Sequence, residues 1–298
     1  MRVCVLLSTY NGEKFIVEQI ESLLIQKDVE VDILVRDDGS TDRTREILDV
    51  YQNEGKLKWY SGNNLGFAQS FIDLVFQAPD SDFYAFCDQD DIWLSDKLSR
   101  AVKALETLDN PRSLYCSNVF YYKDGQTYGG IHKHAQTFDK YTCLVRNIAP
   151  GCSMVFTKGL KDLVKSAPPR RIIAHDFWIF QLAMLLGEVV YDFEPSMCYR
   201  QHENNQIGQK NSRKDIWKRR LKQLSSSKHN HDREEQAKEL LLCYGSEMTD
   251  EARDIVTRVA HYRNSLTNKL ELVLDNRYTM GNPKADAYLK LRILFSKL

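Results

Sequence analysis

Three acidic side chains stand together in the segment Asp88-Gln89-Asp90-Asp91, directly after a short apolar run. Like charges this close repel each other unless a cation neutralises them. A divalent metal ion held by one or two carboxylates, with phosphate oxygens of a ligand in its other positions, is one such cation. The alternative is that the acids are solvated and cap the helix that follows. The spacing alone leaves both interpretations open.

A second acidic pair, Asp37 and Asp38, opens a segment that continues through Gly39, Ser40, Thr41 and Asp42. An Asp-Gly turn followed by a Ser or Thr helix cap accounts for most of these residues. Two consecutive acids exceed what capping requires, and a carboxylate can accept hydrogen bonds from the amino edge of a nucleic base. This segment is therefore a candidate base-binding site.

Strands and helices alternate through the first 108 residues, and this alternation determines where the acids lie. Short apolar runs predict strands at 3–7, 31–35, 57–60 and 82–87. Apolar residues at helical spacing predict helices at 14–26, 41–51, 67–76 and 96–108. Such alternation is typical of βαβ units with a parallel sheet. Right-handed crossovers then bring the segments 8–11, 36–40 and 88–91 to one sheet edge, where open α/β sheets bind ligands.

The pattern is less regular in the remainder of the chain. It predicts strands at 113–122, 148–156 and 188–193, the second of them with a kink at Pro150-Gly151. It also predicts a flexible turn at Gly129-Gly130 and a helix at 175–186. Past Gly208 charged helix formers dominate, with a basic stretch at 210–222 and a serine linker at 225–227. Thr249 is the predicted N-cap of one long helix that continues through Val273.

Composition excludes several protein classes. The chain has 298 residues, with 41 Lys and Arg against 41 Asp and Glu, so no whole-molecule charge favours nucleic acid. Its seven cysteines include no CxxC pair, which argues against a zinc site or a disulfide framework. The apolar start is too short for a signal peptide, and no 18 apolar residues run together. We expect a cytoplasmic protein whose membrane contact, if it has one, is peripheral at the inner face of the cell membrane.

The motifs in combination resemble those of a known enzyme family. The segments 8–12 (STYNG), 36–42 (RDDGSTD) and 88–93 (DQDDIW) are similar to glycosyltransferase family 2, inverting enzymes of the GT-A fold that use nucleotide-sugar donors. The segments 175–178 (HDFW) and 199–208 (YRQHENNQIG) resemble a bacterial rhamnosyltransferase subgroup. The resemblance implies an α/β fold, with a GT-A type, Rossmann-like, mostly parallel sheet flanked by helices at 1–208. An α-helical C-terminal appendage at 209–298 would follow.

The resemblance also implies roles for single residues. Those assigned to the nucleotide-sugar are Thr9, Tyr10, Asp37, Asp38, Asp88 and Arg200. The resemblance assigns the metal, Mg²⁺ or Mn²⁺, to Asp90 and His202, and it assigns the role of catalytic base to Asp176. Where the family usually has Glu before this base, the chain has His175, whose role stays open.

Four further residues are assigned to the acceptor side or the loops around it: Asp91, Trp93, Trp178 and Gly151. Core packing is the default for large aromatic side chains, so the two tryptophans have a structural alternative. Asp176 likewise has one, because a carboxylate is favoured at a helix N-terminus. Cys152 fits a small core residue better than a nucleophile.

The implied function is a non-processive inverting glycosyltransferase of bacterial surface polysaccharide synthesis, such as O-antigen or capsule. The favoured donor is dTDP-L-rhamnose, and the acceptor is a hydroxyl of a glycan or a lipid-linked glycan. A UDP-hexose donor is the alternative, and a metal-dependent nucleotidyltransferase is a second one. A nicotinamide dehydrogenase is disfavoured because no GxGxxG motif follows the first strand. The basic C-terminal region has two interpretations, contact with an anionic membrane surface or a homodimer interface.

Overall fold

The computed structural model of the chain describes residues 1–202 and 231–298. In chain order its strands are β1 (Arg2–Thr9), β2 (Glu30–Asp37), β3 (Lys58–Ser61), β4 (Phe83–Cys87), β5 (Ile92–Trp93), β6 (Ser113–Ser117), β7 (Phe120–Lys123), β8 (Gln126–Gly130), β9 (Val155–Thr157), β10 (Glu188–Asp192) and β11 (Met197–Arg200). Its helices are α1 (Ile16–Leu24), α2 (Thr44–Asn53), α3 (Phe67–Gln77), α4 (Lys97–Glu106), α5 (Lys158–Ser166), α6 (His175–Leu186), α7 (Asp232–Tyr244), α8 (Asp250–Ala260), α9 (Leu266–Leu274) and α10 (Pro283–Leu294).

The main sheet of the described residues has the spatial order β10-β6-β9-β4-β1-β2-β3, and β9 alone in it runs antiparallel to its neighbours. Thr9 at the end of β1 pairs with Asp37 at the end of β2, and Leu7 pairs with Cys87 at the end of β4. The loops that follow these three strands therefore leave from the same edge. A smaller sheet, β5-β11-β7-β8, continues beside it. The predicted α/β fold with a mostly parallel sheet is confirmed.

Both faces of the main sheet are covered. Residues 3–7 of β1 are fully buried, as expected for a parallel strand between two helical layers. One core contains the apolar faces of α1, α2 and α4, and the other contains those of α3, α5 and α6. The strands are thereby held rigidly, so the loops at their carboxyl ends are fixed by a packed framework.

The C-terminal helices share the second of these cores. The Trp178 ring of α6 lies 6.1 Å from that of Tyr244 in α7, and Gln236 donates a 2.6 Å hydrogen bond to Gln181. Thr249 caps α8 as predicted, by accepting a hydrogen bond from the backbone N–H of Ala252. The division at residue 208 stays a prediction, and the segments 210–222 and 225–227 lie outside the described residues. No helix within the described ranges combines the length and the apolar character needed to cross a bilayer.

Two expectations around the smaller sheet are wrong. The strand predicted at 113–122 is two strands in two sheets, because Asn118 bonds to Asp192 and His132 and so turns the chain between them. The predicted turn at Gly129-Gly130 lies within β8, and the hairpin turns instead at Asp124-Gly125, where φ is 49° and 81°.

Two other predicted elements are shorter than expected. In 148–156 the residues Gly151–Ser153 form a 3₁₀ turn, and only Val155–Thr157 pairs as a strand. The long helix predicted from Thr249 is two helices, α8 and α9. Ser265 starts the second one by accepting a hydrogen bond from the Asn268 N–H, which favours a new helix over continuation.

Candidate active site

A cavity of about 490 Å³ opens at the carboxyl edge of the main sheet. The predicted site residues that line it are Thr9, Tyr10, Asp38, Asp88, Asp90, Gly151, Asp176 and His202. They come from the ends of β1, β2, β4 and β11, from the 3₁₀ turn before β9 and from the first turn of α6. The segments 8–11, 36–40 and 88–91 thus meet in one cavity, as the parallel-sheet argument predicts, and residues assigned by the family resemblance join them there.

Asp38 is fixed at one end of this cavity. It forms a buried ion pair with Arg36, which also bonds to Asp73 at 2.8 Å. The Asp38 carboxylate accepts hydrogen bonds from the backbone N–H groups of Leu65 and Gly66, at 2.8 and 3.0 Å. A carboxylate has about four acceptor positions, so this one retains capacity for a further donor.

Asp37 has a different environment from its neighbour. Its buried carboxylate accepts hydrogen bonds from the backbone N–H groups of Gly39 and Ser40 and pairs with Arg45 at 2.7 Å. Burial acts to raise the pKa of Asp37, but the bonds from Ser40 and Arg45 outweigh it and hold that pKa below its usual value. Asp37 therefore holds the turn after β2, and Asp38 faces the cavity.

The acidic loop after β4 concentrates negative charge. Burial and the neighbouring charges of Asp90 and Asp176 raise the pKa of Asp88 to about 7. Asp90 lies 2.5 Å from Nε2 of His202, whose ring stacks on Phe15 at 5.3 Å between centroids. Buried carboxylates with like charges beside them fit a site for a bound cation.

The donor set also indicates which kind of cation fits. The ligand atoms of Asp88, Asp91 and Cys152 lie within 4.8 Å of one another. Burial raises the pKa of the Cys152 thiol well above its usual value, and a protonated soft thiol does not suit Mg²⁺ or Mn²⁺. The carboxylates of Asp88 and Asp90 and the imidazole of His202 line the cavity and fit a hard divalent ion better than a set that includes Cys152.

Asp91 is fully buried and does not line the cavity. Its Oδ1 accepts a hydrogen bond from the backbone N–H of Arg200 at 3.1 Å. Burial, with the charges of Asp90 and Asp88, raises the pKa of Asp91 well above its usual value. Asp91 thus connects the acidic loop to β11.

Asp176 lies in the first turn of α6 and is directed into the cavity. Its Oδ1 accepts a 2.7 Å hydrogen bond from the N–H of Phe177. Burial raises the pKa of Asp176 to about 6, against the opposing effect of hydrogen bonds from Phe177, Asn147 and Gly151. A Cβ at Gly151 would lie 3.2 Å from the Asp176 Cβ and 2.5 Å from His175 Nε2, so the close approach of this loop requires glycine.

His175 forms part of the cavity wall. Its ring stacks on Phe71 at 3.9 Å and meets the edge of Phe86 at 4.8 Å between centroids. Burial lowers the pKa of His175 to about 3, so the imidazole is neutral. Within the described residues neither ring nitrogen has a hydrogen-bond partner. An aromatic packing role accounts for this neutral side chain beside the acid.

Besides Asp37 and Asp91, three predicted site residues are not among those lining the cavity: Arg200, Trp93 and Trp178. The Arg200 guanidinium pairs with Glu18 and donates a 2.7 Å hydrogen bond to the backbone oxygen of Asp90. Arg200 therefore supports the acidic loop through its backbone and does not itself line the cavity. Trp93 and Trp178 are buried in the two cores, consistent with the structural alternative for large aromatics.

Gln89 lines the cavity and was not singled out by the sequence. Its Oε1 accepts hydrogen bonds from the Thr9 hydroxyl at 2.6 Å and from the Tyr10 N–H at 2.8 Å. A Cβ at Gly12 would lie 2.4 Å from that oxygen. Gln89 thus joins the loops after β1 and β4. Its position between two acids is a signal that was available.

Known proteins are similar to this chain in sequence. Residues 4–164 match the profile of Glycosyl transferase family 2. The chain belongs to glycosyltransferase family 2. It is 33% identical over 231 residues to the dTDP-rhamnosyl transferase RfbG of Shigella flexneri, covering 72% of this chain and 77% of that protein. The predicted family and rhamnosyltransferase-like subgroup are confirmed, and the chain is a glycosyltransferase.

Two solved structures share the fold of this glycosyltransferase. Staphylococcus aureus TarS 1–349, in complex with UDP-GlcNAc, matches with a TM-score of 0.59 and 18% identity, covering 99% of this chain and 80% of that one. The mannosyltransferase PcManGT of Pyrobaculum calidifontis, in complex with GDP-Man and Mn²⁺, matches with a TM-score of 0.51 and 14% identity, covering 99% and 85%. At these identities the likeness concerns the GT-A fold alone.

Proposed function

We propose that this glycosyltransferase transfers L-rhamnose from dTDP-L-rhamnose to a hydroxyl of a glycan or lipid-linked glycan, with inversion and without processivity. The observation that carries the proposal is that Asp176 shares one cavity with Asp38, Asp88, Asp90 and His202. A base, a nucleotide-binding acid and a set of metal ligands within one cavity are the groups that this reaction needs.

The donor is proposed to bind with its nucleotide base at Asp38 and Thr9. The remaining acceptor capacity of Asp38 suits the N–H of a thymine or uracil ring. Tyr10 is 46% exposed at the cavity mouth, where its ring can lie against the base. Asp88, deeper in the cavity, is assigned to the ribose.

The metal is assigned to Asp90 and His202, with Asp88 beside them. When bound, Mg²⁺ or Mn²⁺ supplies Lewis-acid stabilisation of the leaving diphosphate. Arg200 supports this arrangement through the Asp90 backbone, at 2.7 Å. His202 and Asp90 then share one function, although they lie 112 residues apart in the chain.

Asp176 is proposed to take the proton from the acceptor hydroxyl. As the acceptor oxygen bonds to the anomeric carbon, the bond from that carbon to the diphosphate oxygen breaks and the electron pair leaves with the diphosphate. A pKa of about 6 leaves Asp176 ionised at neutral pH and more basic than an ordinary aspartate. Attack opposite the leaving group inverts the anomeric centre.

Rhamnose is favoured over the alternative hexose donors by the 33% identity with the Shigella flexneri dTDP-rhamnosyl transferase. The UDP-GlcNAc of TarS accompanies a likeness in fold alone. The nucleotidyltransferase alternative is disfavoured by the family assignment. The pathway, synthesis of a bacterial surface polysaccharide such as O-antigen or capsule in the cytoplasm, is part of the same proposal.

The test is a donor panel of dTDP-L-rhamnose, UDP-glucose, UDP-galactose and UDP-GlcNAc. Binding is followed by thermal shift, because a ligand of the folded state raises the apparent stability. Slow hydrolysis of each donor is measured with Mn²⁺ and with chelator. We expect the largest shift and the only metal-dependent hydrolysis with dTDP-L-rhamnose. Preference for a UDP-hexose would overturn the donor assignment, and hydrolysis unaffected by chelator would overturn the metal assignment.

The C-terminal region 209–298 is proposed to contact either a membrane surface or a second copy of the chain. In support, α9 exposes Leu266, Leu270 and Leu274 on one stripe, at 77%, 52% and 73% of their surface. Flotation with anionic liposomes tests for membrane contact, and a mass measurement in solution tests for a dimer. A monomer that does not float would contradict both.

A further inference from the structure

A second cavity adjoins the first one at His202. It encloses about 1340 Å³ and is bounded by the β7–β8 hairpin and by residues 193–195. His202 lines both cavities, so the two lie side by side at the proposed metal end of the donor site. Its volume exceeds the roughly 300–1,000 Å³ of an ordinary small-molecule site, which points to an extended ligand.

A row of tyrosines crosses the smaller sheet from one cavity to the other. Tyr199 on β11 pairs with Tyr121 on β7, and Tyr121 pairs with Tyr128 on β8. Directly paired residues project from the same face of a sheet, with neighbouring strands about 4.8 Å apart. Tyr199 lines the donor cavity, whereas Tyr121 and Tyr128 line the second one, with ring centroids 5.7 Å apart.

Counted over the residues that the structure describes, the lining of the second cavity is aromatic and nearly neutral in charge. Tyr128 and Phe193 leave 42% and 38% of their surface exposed. Lys123 and Lys133 are balanced by Asp124 and Glu194. His132 also lines this cavity, as His202 does. Burial lowers the pKa of His132 and outweighs its bond to the Ile148 carbonyl oxygen, so His132 adds no positive charge at neutral pH.

These features select among ligand classes. A phosphate-rich ligand or a nucleic acid needs a net positive surface, which these charges do not supply. Aromatic faces with interspersed polar groups suit pyranose rings, which have apolar C–H faces and hydroxyl edges. The occupant that fits is therefore an uncharged oligosaccharide.

We propose that the second cavity binds the glycan chain of the acceptor, with its sugar rings stacked on Tyr121 and Tyr128. The residue to be extended then lies past His202, with its hydroxyl directed toward Asp176. This inference rests on the proposed glycosyl transfer and adds the position and chemical class of the acceptor. It separates the acceptor site from the donor-binding residues.

The experiment compares the full chain with Tyr128→Ala, Tyr128→Phe and Phe295→Ala. Phe295 is 64% exposed and does not line either cavity, so it controls for loss of an exposed ring. Binding to an array of uncharged rhamnose- and hexose-containing oligosaccharides is one measurement. Hydrolysis of dTDP-L-rhamnose without acceptor is the other, because it needs the first cavity alone.

We expect Tyr128→Ala to weaken oligosaccharide binding by about threefold to tenfold, the effect of losing one stacked ring. Tyr128→Phe and Phe295→Ala should bind like the unmodified chain, and all four should hydrolyse the donor within about twofold of one another. The proposal is overturned if the unmodified chain binds none of the oligosaccharides, or if Tyr128→Ala binds them unchanged. Absent donor hydrolysis in all four proteins would instead overturn the proposed function.

Discussion

Replacing Asp176 by Asn should remove the base and stabilise the fold at the same time. Burial raises the pKa of this carboxyl from 3.8 to about 6 in the folded chain. Each unit of pKa difference between the folded and unfolded states is worth about 1.4 kcal/mol. The ionised Asp176 therefore lowers the free energy of unfolding by about 3 kcal/mol at most.

The sign of this effect depends on pH. Because the folded-state pKa is the higher one, ionisation favours the unfolded chain, and stability falls as the pH rises from about 4 to about 6. Above that window the penalty is constant, and below it the penalty disappears. Asp176→Asn should therefore gain up to about 3 kcal/mol at pH 8 and almost nothing at pH 4, a shift of up to roughly 5 °C in Tm at the higher pH.

The assay is thermal unfolding of both proteins from pH 4 to pH 8 without metal or nucleotide, together with the transfer rate at pH 7.5. Turnover should fall by about 10²–10⁴-fold. The matched control is Asp250→Asn, another acid in the first turn of a helix, whose side chain is fully exposed. It should change neither quantity. A gain in Tm that is equal at all pH values, or near-normal turnover, would refute the reasoning.

Three other results are expected. Arg36→Met leaves the buried Asp38 without its ion pair and should lower the free energy of unfolding by about 3–5 kcal/mol in urea denaturation. The double variant that also carries Asp38→Asn should recover part of this loss. If Arg36→Met is as stable as the unmodified chain, the ion pair is contradicted. Asp90→Asn should abolish the rise in Tm that Mn²⁺ gives in the presence of dTDP, and a full rise would exclude Asp90 as a ligand. Iodoacetamide at pH 8 should modify the native chain first at Cys243, because the other six cysteines are buried. Mass spectrometry identifies the labelled residues, and early labelling of Cys152 would show that its loop opens.

Sequence periodicity predicts the framework of this site well. The strand before each acidic loop and the helix that carries Asp176 are found where the apolar pattern places them. These elements are buried runs or clear helical faces, in which one local period dominates. Their parallel arrangement then requires the loops to converge, so the meeting of Asp38 and Asp88 follows without knowledge of any contact. The place of Asp176 beside them is implied by the family resemblance alone.

The smaller sheet is harder to predict because its local signals conflict with its tertiary contacts. The run 113–122 has one β-rich pattern, and only the bonds of Asn118 separate its two strands. Gly130 favours a turn by composition, yet it lies in β8, where a Cβ would approach the Val119 carbonyl oxygen at 2.8 Å. Adjacent acids present the same difficulty, since only the fold distinguishes the turn-holding Asp37 from the cavity-facing Asp38.

The contact between α6 and α7 has a practical consequence for protein engineering. Tyr244 packs against Trp178, on the helix that carries Asp176. The Tyr244 hydroxyl also donates a 3.1 Å hydrogen bond to the Leu163 carbonyl oxygen. A recombinant fragment cut after residue 208 would expose Trp178 and leave Gln181 without its partner Gln236. Chimeras that exchange donor preference between relatives should therefore carry α7 along with the catalytic helix.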